Sequence, residues 1–296
     1  MAMTETPGTG RGMYVGILGL DGSGKTTVAH GLTDRLTEHG YESEFVRWRD
    51  IAAELDRVDF PHLTLRQLLV ETWRTRYGGA TDESSLRVQH GPRLYEDFTL
   101  AKLEQAGSAY PVDVRRSGVL ASALLEFVAD MLIQAEFFNA SVARGRIVVT
   151  DSYGYKNIIK VLRVANEIPS DDISKDLIAR VSDFISDAYS SHFMQPDIGV
   201  FLRVTPEECY KRVTAQRGGV GPVEDMGFAG RTGRSSFLEL QSALLAEYEQ
   251  MAADWGWHVL DVDGATPAEV LDAVNDIVVA DVRAARRADG PPPAGV

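Results

Sequence analysis

Residues 14–27 read YVGILGLDGSGKTT: a short apolar run, then a turn holding three glycines and a lysine, then the start of a helical pattern. No other feature constrains the fold as much. A strand that leads through a tight glycine turn into a helix belongs to a parallel sheet, because parallel neighbours need a long crossover and that crossover is usually helical. The spacing Gly19-x-x-x-x-Gly24-Lys25-Thr26 is that of a phosphate-binding loop. In such a loop the amides bared at Gly22 and Gly24, with those of Ser23 and Thr27, wrap a polyphosphate. The helix N-terminus adds its partial positive charge. Lys25 then reaches the β and γ phosphates of a bound ATP, and the Thr26 hydroxyl holds Mg²⁺.

Five short apolar runs have the character of buried parallel strands: Tyr14–Leu18, Ser43–Trp48, Arg146–Thr150, Asp197–Val204 and His258–Val262. The stretches between them are helical in period. Val28, Leu32 and Leu36 recur every four residues before Gly40 ends their helix. Leu120, Leu124, Phe127, Val128, Met131 and Ala135 form a stripe on a long helix, and Ile173, Leu177, Val181, Phe184 and Ile185 form another. Two helix starts carry capping boxes, Thr205-Pro-Glu-Glu208 and Thr266-Pro-Ala-Glu269. In each, threonine accepts from free amides and glutamate reaches back. The alternation predicts a three-layer α/β domain over residues 13–282, with a five-stranded parallel sheet between helices. Residues 1–12 and 283–296 read as disordered tails. Residues 50–118 break the alternation. Helical patches at Leu65–Trp73 and Leu94–Leu103 are interrupted by GGATDESS and HGPRLY, which suggests a helical region inserted beside the site.

Composition excludes several classes of function. A formal net charge of −13 speaks against nucleic acid, whose phosphates attract basic faces. No apolar run approaches the roughly 18 residues of a membrane helix, so no membrane partner is expected. The opening MAMTETPGTGRG lacks the basic-then-apolar pattern of a secretory signal, which points to the cytoplasm. Cys209 is the only cysteine, leaving no internal disulfide and no thiolate metal cluster. The six histidines, at 30, 39, 62, 90, 192 and 258, include no pair at helical ligand spacing, so protein-bound zinc is not expected.

A phosphate loop binds a nucleotide without saying why. Switch GTPases share it but read guanine through an Asn-Lys-x-Asp stretch, and none occurs here. The run RIVVT ends in Asp151. A carboxylate at the carboxyl end of a parallel strand faces the crevice, where it would hold the metal directly or through water. Tyr153 and Tyr155, just past it, are candidates to stack on a ring.

Four segments, GLDGSGKTT, LLEFVADMLIQAEFFNASVARGRIVVTDSY, PDIGVFLRVTPEECYKRVTAQRG and LLAEYEQMAADWGWHVLDVDGATPAEVLDAV, resemble thymidylate kinase part by part and in order. The resemblance covers residues 13–49 and 119–280. It implies a five-stranded parallel sheet with a mobile lid, transfer of the γ-phosphate of ATP to an acceptor, and frequent pairing of two copies. It also implies that Asp21 touches the acceptor's sugar hydroxyl and that Arg49 stands where the family has an arginine after its second strand. The family's lid supplies an arginine to the transferring phosphate when the loop lacks one, and Gly22 stands at that loop position here. The matching segment is QRGGVGPVEDMGFAGRTGRSS, residues 216–236. Its Arg231 and Arg234 suit the phosphate, and Arg217 suits adenine.

The chain departs from the family where the acceptor's phosphate is held. The family has Asp-Arg after its third strand, whereas this chain has Asp151-Ser152; the family has an arginine on the preceding helix where this chain has Met131. Two acceptor readings follow. A nucleotide would need Lys156, Arg49 or other arginines such as Arg115 and Arg116 to compensate. An uncharged or cationic small molecule, such as a nucleoside, sugar or specialised metabolite, would present a hydroxyl to Asp21, Asp50 and Asp151 beside Tyr153. The second is preferred. A third reading, a non-catalytic ATP-binding switch, is opposed by Lys25 and by the arginine-bearing lid. The helices around 120–144 and 173–190 are apolar enough to support a homodimer.

Overall fold

Strand β1 (Met13–Gly19) is buried at all seven positions. Successive side chains of a strand point to opposite faces, so both faces of the sheet must be covered here. The computed structural model describes residues 11–47, 51, 62–77, 115–151, 153–169 and 172–288. Strands β2 (Ser43–Phe45), β3 (Ile147–Thr150), β4 (Ile198–Arg203) and β5 (His258–Asp261) complete a five-stranded sheet in the order β2-β3-β1-β4-β5. Every pairing is parallel. The chain order reverses at β1, between β3 and β4. In such sheets ligands bind outside the carboxyl ends of the strands at this point.

Helices flank the sheet as expected for α/β alternation. They are α1 (Lys25–Glu38), α2 (His62–Tyr77), α3 (Arg116–Ile133), α4 (Tyr155–Glu167), α5 (Lys175–Ser190), α6 (Pro206–Arg217), α7 (Arg234–Asp254) and α8 (Pro267–Ala288). Helix α3 runs on through a π-helical turn, Gln134–Phe138, into Asn139–Ala143. Helix α1 packs on α8, α3 lies against α2 and α4, and α6 lies against α7. The buried apolar residues form one continuous core.

The strand expectations hold in place and shift at their ends. β2 stops at Phe45, although the Val46 amide still donates to Val149 O at 2.9 Å. Trp48 and the patch Leu94–Leu103 lie outside the described residues. At the termini, Arg11 already pairs with Asp197 at 3.0 Å, and α8 continues to Ala288, past the expected frayed end at 283. The α3 stripe is only partly covered: Leu120 and Phe127 are buried, whereas Leu124, Val128 and Met131 on the same side of the helix are exposed. By length, and by a mean hydropathy of 1.6 over 18 residues within Arg116–Ala143, α3 with its extension could cross a membrane. Its inward residues are packed into the core instead.

Both threonine caps form, but only one capping box closes. At α8, Glu269 N donates to Thr266 Oγ1 at 3.3 Å and Thr266 N donates back to Glu269 Oε2 at 2.8 Å. At α6, Glu208 N donates to Thr205 Oγ1, while Thr205 N turns to Asp263 and the Glu208 carboxylate to Arg212.

Candidate functional site

The turn after β1 has the backbone that phosphate binding needs. Gly22 and Gly24 hold φ of +89° and +92°, a region in which L side chains are strained. A Cβ on Gly22 would also lie 2.8 Å from Cys209 O. At Gly24, the N-cap of α1, no side chain bonds the helix's first amides. Those amides, and the partial positive charge behind them, therefore suit an anion. The Lys25 ammonium is buried and turns back on its own loop, donating to Leu20 O at 2.6 Å and Ser23 Oγ at 3.2 Å. Burial, then the neighbouring Lys156 ammonium, pulls its pKa down to about 7, while Asp21 and Asp151 work against that fall.

Asp151, at the end of β3, receives a short hydrogen bond from the Thr26 hydroxyl at the start of α1. Two oxygen-bearing side chains from adjacent strand–helix turns thus meet. The described residues hold no cluster of three acidic, histidine or cysteine side chains. This set fits Mg²⁺, which is bound through one or two protein oxygens and completes its octahedron with water and phosphate.

Asp21 is the electrostatic centre of the crevice. Lys156 Nζ donates to its Oδ1 at 2.5 Å and Lys160 Nζ to its Oδ2 at 2.7 Å. The lysines are one helical turn apart on α4 and so share a face. Burial alone would raise the carboxyl pKa, but the ammoniums of Lys156, Lys160 and Lys25 outweigh it and hold the group well below the usual carboxylate range. Gln241 of α7, fully buried, accepts from the Asp21 amide at 3.2 Å and donates to Asp21 Oδ2 at 3.2 Å and Glu224 O at 3.4 Å. Asp21 and Lys156 are candidates from the sequence, whereas Lys160 and Gln241 come from the fold. Spacing of four from Lys156 was a usable signal for Lys160. Nothing local marks Gln241, which meets Asp21 across 220 residues.

Segment 216–236 is more structured than a loose loop. Its first residues belong to α6, Pro222–Asp225 forms a helical turn and Arg234 opens α7. Arg217 pairs with Glu224, which is nearly buried and also receives Gly221 N at 2.7 Å. Arg231 pairs with Glu239, both about half exposed. The Arg234 guanidinium lies 5.6 Å from the centre of the Tyr210 ring.

Several residues expected at the acceptor lie in the core or serve the backbone. Tyr153 and Tyr155 are 2% and 3% exposed. They pack into an aromatic cluster with Tyr189, Trp255 and Trp257, because α4 begins at Tyr155 and turns both rings inward. Neither offers a stacking face to the crevice. Arg116 is buried and donates to Ile173 O at 2.5 Å and Ile168 O at 2.7 Å, so it serves the backbone. Arg115 is exposed at the start of α3. Arg49, Asp50 and Ser152 lie outside the described residues. Below the crevice, Asp130 of α3 accepts from Tyr189 Oη at 2.6 Å. A Cβ on Gly154 would fall 1.6 Å from Asp130 Oδ2, so glycine is required for this close approach.

No protein-family model matches the chain, and no curated protein matches it. Among solved structures, it is similar to the thymidylate kinase of Candida albicans at 17% identity and a TM-score of 0.46, over 92% of each chain. The five-stranded parallel sheet and the glycine turn after β1 are those of the α/β fold that the sequence predicts.

Proposed function

We propose that this protein is an ATP-dependent phosphotransferase that moves the γ-phosphoryl group of ATP onto a small acceptor. The observation that carries this reading is the uncapped start of α1 at Gly24, with Lys25 beside it and the Thr26–Asp151 pair at its edge. The loop amides and Lys25 hold the β and γ phosphates, and Lys25 exchanges its loop contacts for them. Thr26 and Asp151 hold Mg²⁺, which when bound neutralises charge between those phosphates. The acceptor oxygen forms a bond to the γ phosphorus as the bond to ADP breaks, and the acceptor's proton leaves to solvent. Asp21 has too little proton affinity to be a good base. It orients the acceptor, which a loose transition state permits because proton removal contributes little there.

The lid reading of 216–236 is refined by its ion pairs. Arg231 and Glu239 form a solvent-exposed pair, worth roughly 0–1 kcal/mol, so Arg231 can leave it cheaply for the transferring phosphate. Arg234 is the second candidate. Arg217, tied to buried Glu224, holds the stem of the lid instead of adenine.

The acceptor is a nucleoside, sugar or related metabolite bound beside Asp21, Lys156 and Lys160. The lysines also leave room for a nucleotide acceptor, because Lys160 joins Lys156 in supplying the positive charge that Ser152 and Met131 lack. The enzyme would work in the cytoplasm, without nucleic acid or membrane partners. Two copies would pair through the exposed apolar face of α3 and α5. Calorimetric titration with Mg·ATP tests the central claim. Binding is expected in the wild type, with ADP release on adding an acceptor from a panel of nucleosides, nucleotides and sugars. Lys25→Ala should fold and lose transfer. No heat on titrating ATP or GTP would refute the reading.

A further inference from the structure

We infer that Gln241 is a positioning residue that couples the 216–236 segment to the phosphate loop; the inference rests on the kinase reading of that loop. The segment is braced from within. Asp225 accepts from the amides of Gly227 at 3.1 Å and Gly233 at 2.6 Å, and Ser236 Oγ donates to Asp225 O at 3.0 Å. Glu224 ties in Gly221, while its ion pair with the half-exposed Arg217 reaches back across Gly218 and Gly219 to α6. Residues 221–236 therefore move as one body that carries Arg231. Gly218 and Gly219, ahead of that body, have no atoms within 4 Å of a Cβ position, so the backbone there can turn without a side chain resisting.

Gln241 joins this body to the loop through a single amide group. Its Nε2 reaches Glu224 O on one side and Asp21 Oδ2 on the other, and its Oε1 accepts from the Asp21 amide. The residue is fully buried. A buried amide with both ends occupied cannot shift at one end without losing a bond at the other, and water is not there to replace it. When nucleotide draws Arg231 inward, the movement of Glu224 is passed to Asp21, the carboxylate beside the acceptor. Conversely, a loop settled on phosphate fixes Asp21, and through Gln241 it holds the segment closed.

The test needs no knowledge of the acceptor. Trypsin cleavage in segment 216–236 is followed with and without Mg·AMPPNP in the full-length protein. In the wild type, nucleotide should slow cleavage by roughly tenfold or more, since proteolysis follows the open population. Gln241→Met fills the same volume without hydrogen bonds. It should bind Mg·AMPPNP and yet lose most of that protection. Val274→Ala, a core truncation in α8, controls for lower stability and should keep the protection. Gln241→Glu tests polarity directly: its carboxylate repels Asp21, so protection should fall further. If Gln241→Met binds nucleotide and is protected like the wild type, the coupling is wrong while the kinase reading stands. If the wild type does not bind Mg·AMPPNP, both fall.

Discussion

Replacing Asp130 by asparagine should make the protein more stable in alkaline solution and leave it unchanged in acid. The carboxyl sits half-buried beneath the crevice, against Gly154 and the Tyr189 hydroxyl. Burial raises its pKa from the ordinary carboxylate value to about 7; the Tyr189 hydrogen bond opposes that rise and Glu126, one turn earlier, adds to it. The unfolded chain gives up this proton near pH 3.9. Between about pH 4 and 7 the folded state binds more protons than the unfolded one, so stability falls as pH rises, and it levels off above 7. A gap of about three pKa units at 1.36 kcal/mol each sets an upper limit of about 4 kcal/mol. Part of the group meets solvent, which reduces the expected penalty to roughly 2 kcal/mol. Asparagine keeps an oxygen for Tyr189 and carries no charge. Asp130→Asn should therefore melt about 4–8 °C higher than the wild type at pH 8. The two curves should meet near pH 4. Calorimetric melting across that range is the assay. A difference that does not change with pH, or a variant less stable at pH 8, would show that Asp130 is not held protonated by its surroundings.

Asp21→Asn should act in the opposite sense. It leaves Lys156 and Lys160 without the charge they share, a loss of about 3 kcal/mol for an enclosed pair, seen as a lower melting temperature at neutral pH. Because the carboxyl's proton affinity is lowered, its contribution is complete above about pH 3.9 and fades only below. The gap between variant and wild type should therefore hold from pH 5 to 8, and a gap that closes near pH 6 would contradict the arrangement. For the homodimer, Phe184 is 56% exposed, Val128 46% and Met131 42%. Sedimentation should find the wild type paired, and Val128→Glu with Phe184→Glu single, with an unchanged melting profile of the separated chain. A wild type that sediments as one copy would end that proposal.

The sheet was legible in the sequence for a physical reason. Strands covered on both faces must be apolar at every position, so β1, β3 and β4 stand out as runs of valine, isoleucine and leucine. β5 was found through the same kind of run, although three of its four residues are exposed. The phosphate loop was legible because its chemistry is local: the amides, Lys25 and Thr26 lie within eight residues of Gly19. Periodicity marked the long helices but not which apolar face of α3 and α5 lies inward.

The other side of the crevice was legible only in part, and Asp21 shows why. Its lysines come from α4 and its amide partner from α7, 135 to 220 residues away. Ser152 and Met131 stand where the family has arginines, and the sequence offers Lys156 as one replacement; the fold adds Lys160 beside it, both on Asp21. The same argument accounts for Tyr153 and Tyr155. Proximity to Asp151 in sequence suggested a stacking wall, but one turn of helix separates a crevice position from a core position. A charge pattern fixed by three elements that meet only in the fold leaves little local trace beyond the four-residue spacing of its lysines. The acceptor is therefore better sought with probes of either charge than inferred from a missing arginine.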